Sequence, residues 1–233
     1  MKRLIFKGAL MAALILSLTS CFSDKDYMYT DTGMCTVIGP LRIRTDTGLV
    51  YNIVENDTRS SIPDTLKRVM ARCDVLRAAN GKPDEYEVCL KEFMGAFVSE
   101  PVLASEAPED IGSDGVGVTQ AWISGGYLNS YVNITLLPAA DGRHDLNLVY
   151  DDVRSNADSL YLEIRHNAHG ECPENKDISP ANLVFAGAYV SFPVDALIPA
   201  GRKPVVHLEW EWYKEDNLYS DEKVRISGNV QID

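Results

Sequence analysis

The residue with the most definite chemistry in this chain is Cys21, which closes the run Leu18-Thr19-Ser20-Cys21. Small residues before a scissile bond let a peptidase grip an extended backbone. A cysteine just after the bond offers the thiol that accepts a diacylglycerol. A second group with ligand chemistry is His166, His169 and Cys172, flanked by Glu171 and Glu174. Imidazole and thiolate suit zinc, but a closed site needs four converging groups. These spacings run off a strand end into a polar loop, and solvated loop residues explain them more simply than a metal site. Asp151-Asp152 offers oxygens for calcium or a plain turn, and Asp110 to Gly115 fails the EF-hand pattern because Gly112 sits at a ligand position.

Catalytic motifs are missing. Ser124 has Trp122 where a nucleophile elbow needs glycine, and there is no His-Glu-x-x-His, phosphate loop or dinucleotide fingerprint. The 34 acidic residues allow a carboxylate pair to act as acid and base, so a carboxylate-dependent hydrolase stays as an alternative. Aromatics give a binding reading: Trp210, Trp212 and Tyr213, or Trp122 and Tyr127, as platforms for sugar rings. Trp210 and Trp212 alternate in step with Val206 and Leu208, however, as core residues of a sandwich do. We therefore expect Trp122, Trp210 and Trp212 to supply core.

The elements around these residues follow from the pattern. Lys2, Arg3 and Lys7 precede an almost unbroken apolar run of eleven residues, Gly8 to Leu18. That is too short to span a bilayer, which takes about twenty residues, but it suits a signal peptide. Residues 1–20 are thus expected to be a lipoprotein signal, and 21–33 a lipidated tether. Removing the three basic residues of the signal leaves 19 basic against 34 acidic groups, a formal charge of −15. Phosphate backbones are bound by Lys and Arg, so no nucleic-acid partner is expected. No cofactor is expected either.

Four cysteines remain: Cys35, Cys73, Cys89 and Cys172. Cys73 and Cys89 lie equidistant from Gly81 in an apparent hairpin, yet the alternation puts them on opposite faces, and only a bulge would let them bond. Strand signals run at Cys35–Ile38, Leu41–Arg44, Leu49–Val54, Leu66–Arg77 and Tyr86–Phe93, with turn chemistry at Thr45-Asp46-Thr47-Gly48 and Asn80-Gly81-Lys82-Pro83-Asp84. This predicts a small barrel over 34–103. Ala104 to Gly115 is polar and reads as an exposed linker. Seven further strands, at 116–124, 127–137, 145–150, 159–166, 183–194, 205–213 and 223–230, predict an antiparallel β-sandwich over 116–233. Residues 22–103 carry 10 basic and 13 acidic groups and residues 104–233 carry 9 and 21, so the acidity lies mainly in the sandwich.

Four phrases occur in a familiar order: Trp122-Ile-Ser-Gly-Gly-Tyr-Leu-Asn129, His144-Asp-Leu-Asn-Leu-Val-Tyr150, Asp158-Ser-Leu-Tyr-Leu-Glu-Ile-Arg-His-Asn167 and Ala188-Tyr-Val-Ser-Phe192. Together they resemble the NigD-like lipoproteins of Bacteroidetes. The resemblance implies an all-β chain with an OB-like N-terminal barrel before the sandwich. It carries no established activity; the family name points to bacteriocin secretion or immunity as an accessory role. The barrel matches more loosely, with Asp46-Thr-Gly48 where an Asp-Asp-Gly-like turn is expected. In that setting Ser23-Asp24-Lys25-Asp26 resembles an outer-membrane export tag, or serves as a solvated tether. Asp64-Thr65-Leu66 resembles an O-glycosylation sequence at Thr65, whereas Ser159 in Asp158-Ser159-Leu160 begins a core strand. The expectation is a lipid-anchored outer-membrane protein, facing the surface or the periplasm. It would bind a protein or glycan partner and reach the membrane through the lipid on Cys21.

Overall fold

The computed structural model describes residues 27–137, 142–172, 175, 177–213 and 223–232. The signal sequence, Cys21 and the Ser23–Asp26 segment lie outside them. Five strands build the first module: β1 (Tyr29–Gly39), β2 (Arg42–Thr45), β3 (Val50–Asn56), β4 (Arg68–Ala78) and β5 (Glu85–Val98). They neighbour one another in the order β3-β2-β1-β4-β5, and a parallel β3–β5 pairing closes the ring. Closure removes the exposed edges that a five-stranded sheet would otherwise present. Ile43, Tyr51, Val69, Val75, Val88 and Leu90 fill the barrel.

The β1 strand begins earlier than expected. Tyr29 to Gly33 already pair with Val75 to Ala71 of β4, so residues assigned to the tether are part of the barrel. Thr30, Asp31 and Thr32 are polar and hide the strand from a hydrophobicity pattern. The β4–β5 hairpin turns where Gly81 and Asp84 adopt positive φ, as its composition predicts. Its register sets Cys73 against Leu90 and Cys89 against Asp74, one residue out of step. All four cysteines are buried thiols, in keeping with the alternation rather than with a disulfide.

After β6 (Val102–Leu103) come the seven sandwich strands at the positions that alternation marks: β7 (Gly117–Ser124), β8 (Tyr127–Leu136), β9 (Asp145–Tyr150), β10 (Ser159–Asn167), β11 (Val184–Pro193), β12 (Val205–Tyr213) and β13 (Lys223–Val230). One sheet runs β13-β12-β10-β9-β6; the other is β11-β8-β7, joined to the end of β5. Leu160, Leu162 and Ile164 of β10 meet Val190 and Phe192 of β11 and Val206 and Leu208 of β12 in one core. Each such side chain stabilises the fold by about 1.5–3 kcal/mol when buried. The expectation of a wholly antiparallel sandwich is corrected: β10–β12 and β5–β11 are parallel. The chain visits the opposite sheet as β11 between β10 and β12, so it returns in its original direction.

Two modules therefore share one eight-stranded sheet. Ala96 to Val98 at the end of β5 pair with Tyr189 to Ser191, and the chain then crosses to the other sheet as β6. The stretch 104–115 is exposed only in part. Residues 104–106 and 108–110 face solvent, but Ile111, Gly115 and Val116 are buried. The Asp114 amide donates to the His166 carbonyl at 2.9 Å, and the Asp114 carboxylate accepts the Ala168 amide at 2.7 Å. The expected linker is thus fastened along the sandwich over its second half, because Ile111 gives it an apolar foot.

A buried ion pair locks the modules. Arg68, fully buried at the start of β4, donates from Nη1 to Asp46 Oδ1 at 2.5 Å and from Nη2 to Asp46 Oδ2 at 2.8 Å. The same guanidinium reaches Thr36 Oγ1 at 2.9 Å and Asn129 Oδ1 at 2.9 Å, and lies 4.2 Å from the centre of the Tyr127 ring. Ser124 Oγ donates to Asp46 Oδ2 at 2.6 Å, and Ser191 Oγ to Asn129 Oδ1 at 2.6 Å. Gly125 has φ +57°, and a Cβ there would fall 2.6 Å from Asp46 Oδ1. Its bareness lets the β7–β8 turn close on the carboxylate. Removing one partner from a buried pair costs about 3–5 kcal/mol because the other charge is left uncompensated. Arg68→Met should lower the unfolding free energy from urea titration by about that amount; a change below about 1 kcal/mol would show that the pair does not hold the modules.

Candidate functional site

The histidines form a chain rather than a ligand set. His166 is completely buried, with Nδ1 3.1 Å from the Gly115 carbonyl oxygen. A carbonyl only accepts, so His166 carries a proton on Nδ1, and in its neutral form Nε2 accepts from His144 Nδ1 at 3.0 Å. The two rings stack at 5.2 Å between centroids, and His144 Nε2 faces Glu171 Oε2 at 3.4 Å. His169 turns elsewhere: its Nε2 sits 2.8 Å from Asp145 Oδ2. That contact, followed by Arg143, holds the Asp145 carboxyl below its ordinary range. Cys172 is buried.

Among the described residues no three His, Cys, Asp or Glu groups are placed to hold a metal. Both nitrogens of His166 are already engaged, and His169 points its Nε2 at a carboxylate, so among the described residues His166, His169 and Cys172 are not gathered as a ligand set. Glu174 lies outside the described residues. Sequence reasoning missed His144. The antiparallel register that sets Asn167 of β10 against Asp145 of β9 is what brings it to His166, and no spacing along the chain announces it.

A cleft of about 360 Å³ on the outer face of the β10–β12 sheet collects Glu109, Asp151, Arg154, Glu163, Arg165 and Arg225. Glu163 and Glu209 face each other across the parallel β10–β12 pairing. Arg154 donates to both Glu209 oxygens at 3.0 Å and to Asp151 Oδ2 at 2.6 Å. Arg225 bridges Glu209 at 2.5 Å and Glu163 at 3.1 Å, and Arg165 Nη2 donates to Glu163 at 3.2 Å. Arg154 first, then Arg225, bring the Glu209 carboxyl from its ordinary 4.5 to about 2. A glycosidase-type acid must hold a proton near neutral pH. Glu209 does not. Asp151 accepts the Val153 and Arg154 amides, which identifies Asp151-Asp152 as turn chemistry.

The third region is a groove along the seam between β7 and the β12–β13 edge. Its larger part, about 500 Å³, is walled by Trp210, Trp212, Phe185 and Asn133, and a smaller part of about 150 Å³ continues past Trp210 to Gln120 and Asn229. Trp212 is 6 % exposed, with its ring 5.5 Å from that of Phe185. Trp210 packs on the sandwich core but is only half-buried, so the expectation that both indoles are simply core holds for Trp212 and fails in part for Trp210. Trp122 does not join that core, since its neighbour Ile123 takes the inward position. Tyr127 lies under Arg68 and offers no platform. Thr65 is exposed in a turn closed by the Leu66 amide on the Pro63 carbonyl at 3.0 Å, so its hydroxyl is accessible.

Comparison with known proteins sets this architecture in context. The family model described as the NigD-like C-terminal beta sandwich domain matches residues 100–221, over half of the chain. A protein of unknown function from Bacteroides vulgatus superposes with TM-score 0.60 at 19% identity, covering 86% of this chain and 90% of that one. A NigD-like immunity protein from Bacteroides caccae gives 0.56 at 18%, covering 86% and 91%. A candidate lipoprotein from Bacteroides fragilis gives 0.57 at 11%, covering 87% and 97%. At such identities the likeness concerns the fold. No curated protein matches the sequence.

The charge lattice generates a pH test. A carboxyl depressed from 4.5 to about 2 adds stability that is fully present above 4.5 and is lost as pH falls through 2. Glu209→Gln should therefore be less stable than wild type at neutral pH, with the difference in urea midpoint vanishing near pH 2. A difference that stays constant over that range would mean Glu209 contributes packing and not charge.

Proposed function

We propose that this chain, which belongs to the NigD-like family, serves as a lipid-anchored binding module of the bacterial envelope and not as an enzyme. The seam groove carries the reading. It is the region where half-buried indole surface, rather than a paired charge, meets solvent, and concave sites of this kind hold ligands. The carboxylates that would do hydrolytic chemistry are taken up by Arg154, Arg165 and Arg225.

The address supports the same role. Leu18-Thr19-Ser20-Cys21 fits lipid attachment at Cys21, and two or three acyl chains hold a protein where one would be marginal. Among the described residues no helix is long and apolar enough to cross a membrane. The Met28 amide donates to the Val75 carbonyl at 2.7 Å, so the chain is fastened to the barrel seven residues after Cys21. Seven extended residues reach at most about 25 Å, which keeps the barrel close to the bilayer. Ser23-Asp24-Lys25-Asp26 favours the outer face of the outer membrane. Thr65, accessible in its turn, is the position for an O-linked glycan.

Two outcomes test this. Cys21→Ala should abolish incorporation of a palmitate analogue and release the protein from membranes; unchanged labelling would refute the anchor. Gly228, beside Trp210 on β13, can be filled without moving the backbone. The wild-type chain should retain an envelope component that Gly228→Leu does not; equal retention by both would refute the groove.

A further inference from the structure

We infer that the seam groove is a binding site for an uncharged oligosaccharide, with Trp210 as the stacking surface. The inference rests on the proposal above that this groove is the ligand site, and names the ligand's chemical class.

The first observation is the charge of the walls. The sandwich half of the chain carries 21 acidic and 9 basic residues, yet among the described residues none of the side chains lining either part of the groove is ionisable. Charges crowd the outer face of β10, β12 and β13 instead, where Glu163, Glu209 and Arg225 pair off. An anionic ligand would enter an acidic domain and find no cation among the described groove residues; a cationic one would find no carboxylate among them. What the walls offer is amides and a hydroxyl, from Asn133, Gln120, Asn229 and Thr119. A primary amide donates and accepts at once, which matches a sugar hydroxyl that does the same. Thr119 Oγ1 already donates to the Tyr131 carbonyl at 3.0 Å, which leaves its lone pairs to accept.

The second observation is how the Trp210 indole is kept partly bare. A Cβ at Gly228 would lie in ordinary contact, 3.9 Å from Trp210 Cη2. Gly228 has no positive φ that would demand glycine for the backbone. A side chain there would cover the ring, and its absence leaves ring surface open to the groove. Gly117 acts differently: a Cβ there would lie 3.3 Å from Trp212 Cη2, so its bareness lets the strand pack closely on the buried Trp212. The C–H face of a pyranose packs flat on such a ring, and its equatorial hydroxyls then reach the surrounding amides. The groove is elongated, with the 500 Å³ and 150 Å³ parts meeting at Trp210, which suits several linked residues more than one.

The test is a titration of the full mature chain, made soluble by Cys21→Ala, with hexasaccharides of glucose, xylose and mannose. Oligogalacturonate serves as the acidic probe and an apolar extended peptide as the alternative. Tryptophan fluorescence should report binding of at least one neutral hexasaccharide. Trp210→Ala should weaken it by about tenfold, in line with the loss of a stacking ring. Gly228→Leu, whose side chain would cover the indole, should abolish it while melting as wild type does. Trp210→Phe, which keeps an aromatic face, should retain part of the affinity even if the alanine variant folds poorly. Failure of every neutral hexasaccharide to bind, preference for oligogalacturonate, or binding indifferent to Gly228→Leu would each overturn the inference. Peptide binding lost in Gly228→Leu, with no sugar bound, would overturn the ligand class and leave the groove's role as a binding site standing.

Discussion

The structure depends on where Arg68 can go. A guanidinium with no exposed surface must find counter-charge and hydrogen-bond acceptors within reach, or the fold is lost. Asp46 alone would satisfy a barrel. Here the arginine also spends a bond on Asn129 of the sandwich, and Asn129 takes another from Ser191. One cation therefore ties five segments: its own strand β4, β1 through Thr36, the β2–β3 turn through Asp46, β8 through Asn129 and, by way of Asn129, β11. A buried pair contributes little net stability over apolar packing, but it tolerates few geometries. That intolerance fixes the angle between modules that a shared strand, β5, would otherwise leave free to bend.

Much of this could be read from the chain, and the boundary of what could be read has a physical cause. All seven sandwich strands stand where alternation put them, because a strand with one dry face repeats every two residues wherever it sits. Alternation says nothing about which sheet a strand joins. Hence an antiparallel sandwich is what alternation suggests, whereas β10 and β12 pair in parallel, since β11 goes to the other sheet between them. The same blindness hid β1, whose first residues are polar but pair fully with β4. Asp46-Thr-Gly48 and Ser124 to Asn129 were both legible as phrases. That they touch each other was not, because their contact spans 78 residues and depends on Arg68 arriving from a third place.

The candidate sites divide on the same line. His166 and His169 are three residues apart and bond to different partners, while His166 and His144 are 22 residues apart and bonded to each other. Proximity along a chain counts for little in a sheet, where register decides neighbours. The tryptophans show the converse limit. Period two correctly placed Trp210 and Trp212 on the inward face of β12, but inward beside an edge strand is not always buried. Trp212 is closed in by Phe185 and Tyr213, whereas Trp210 sits where β7 and β13 leave the seam open.

That opening follows from how a sandwich with lopsided charge must be built. The acidic residues of β10 and β12 cannot face the core, so they line the outer face, where Arg154, Arg165 and Arg225 neutralise them. With the charge spent there, the inward positions of β12 are free to be large and apolar, and its final turn to the edge carries indoles instead of aliphatics. An edge normally hides such rings under the side chains of the neighbouring strand. Gly228 withholds that cover from Trp210. Leaving apolar ring surface wet costs free energy that a leucine or valine at Gly228 would recover. A fold with no use for the exposed indole has no physical reason to forgo it, and this is the step that links the packing of the sandwich to the proposed binding role of the groove.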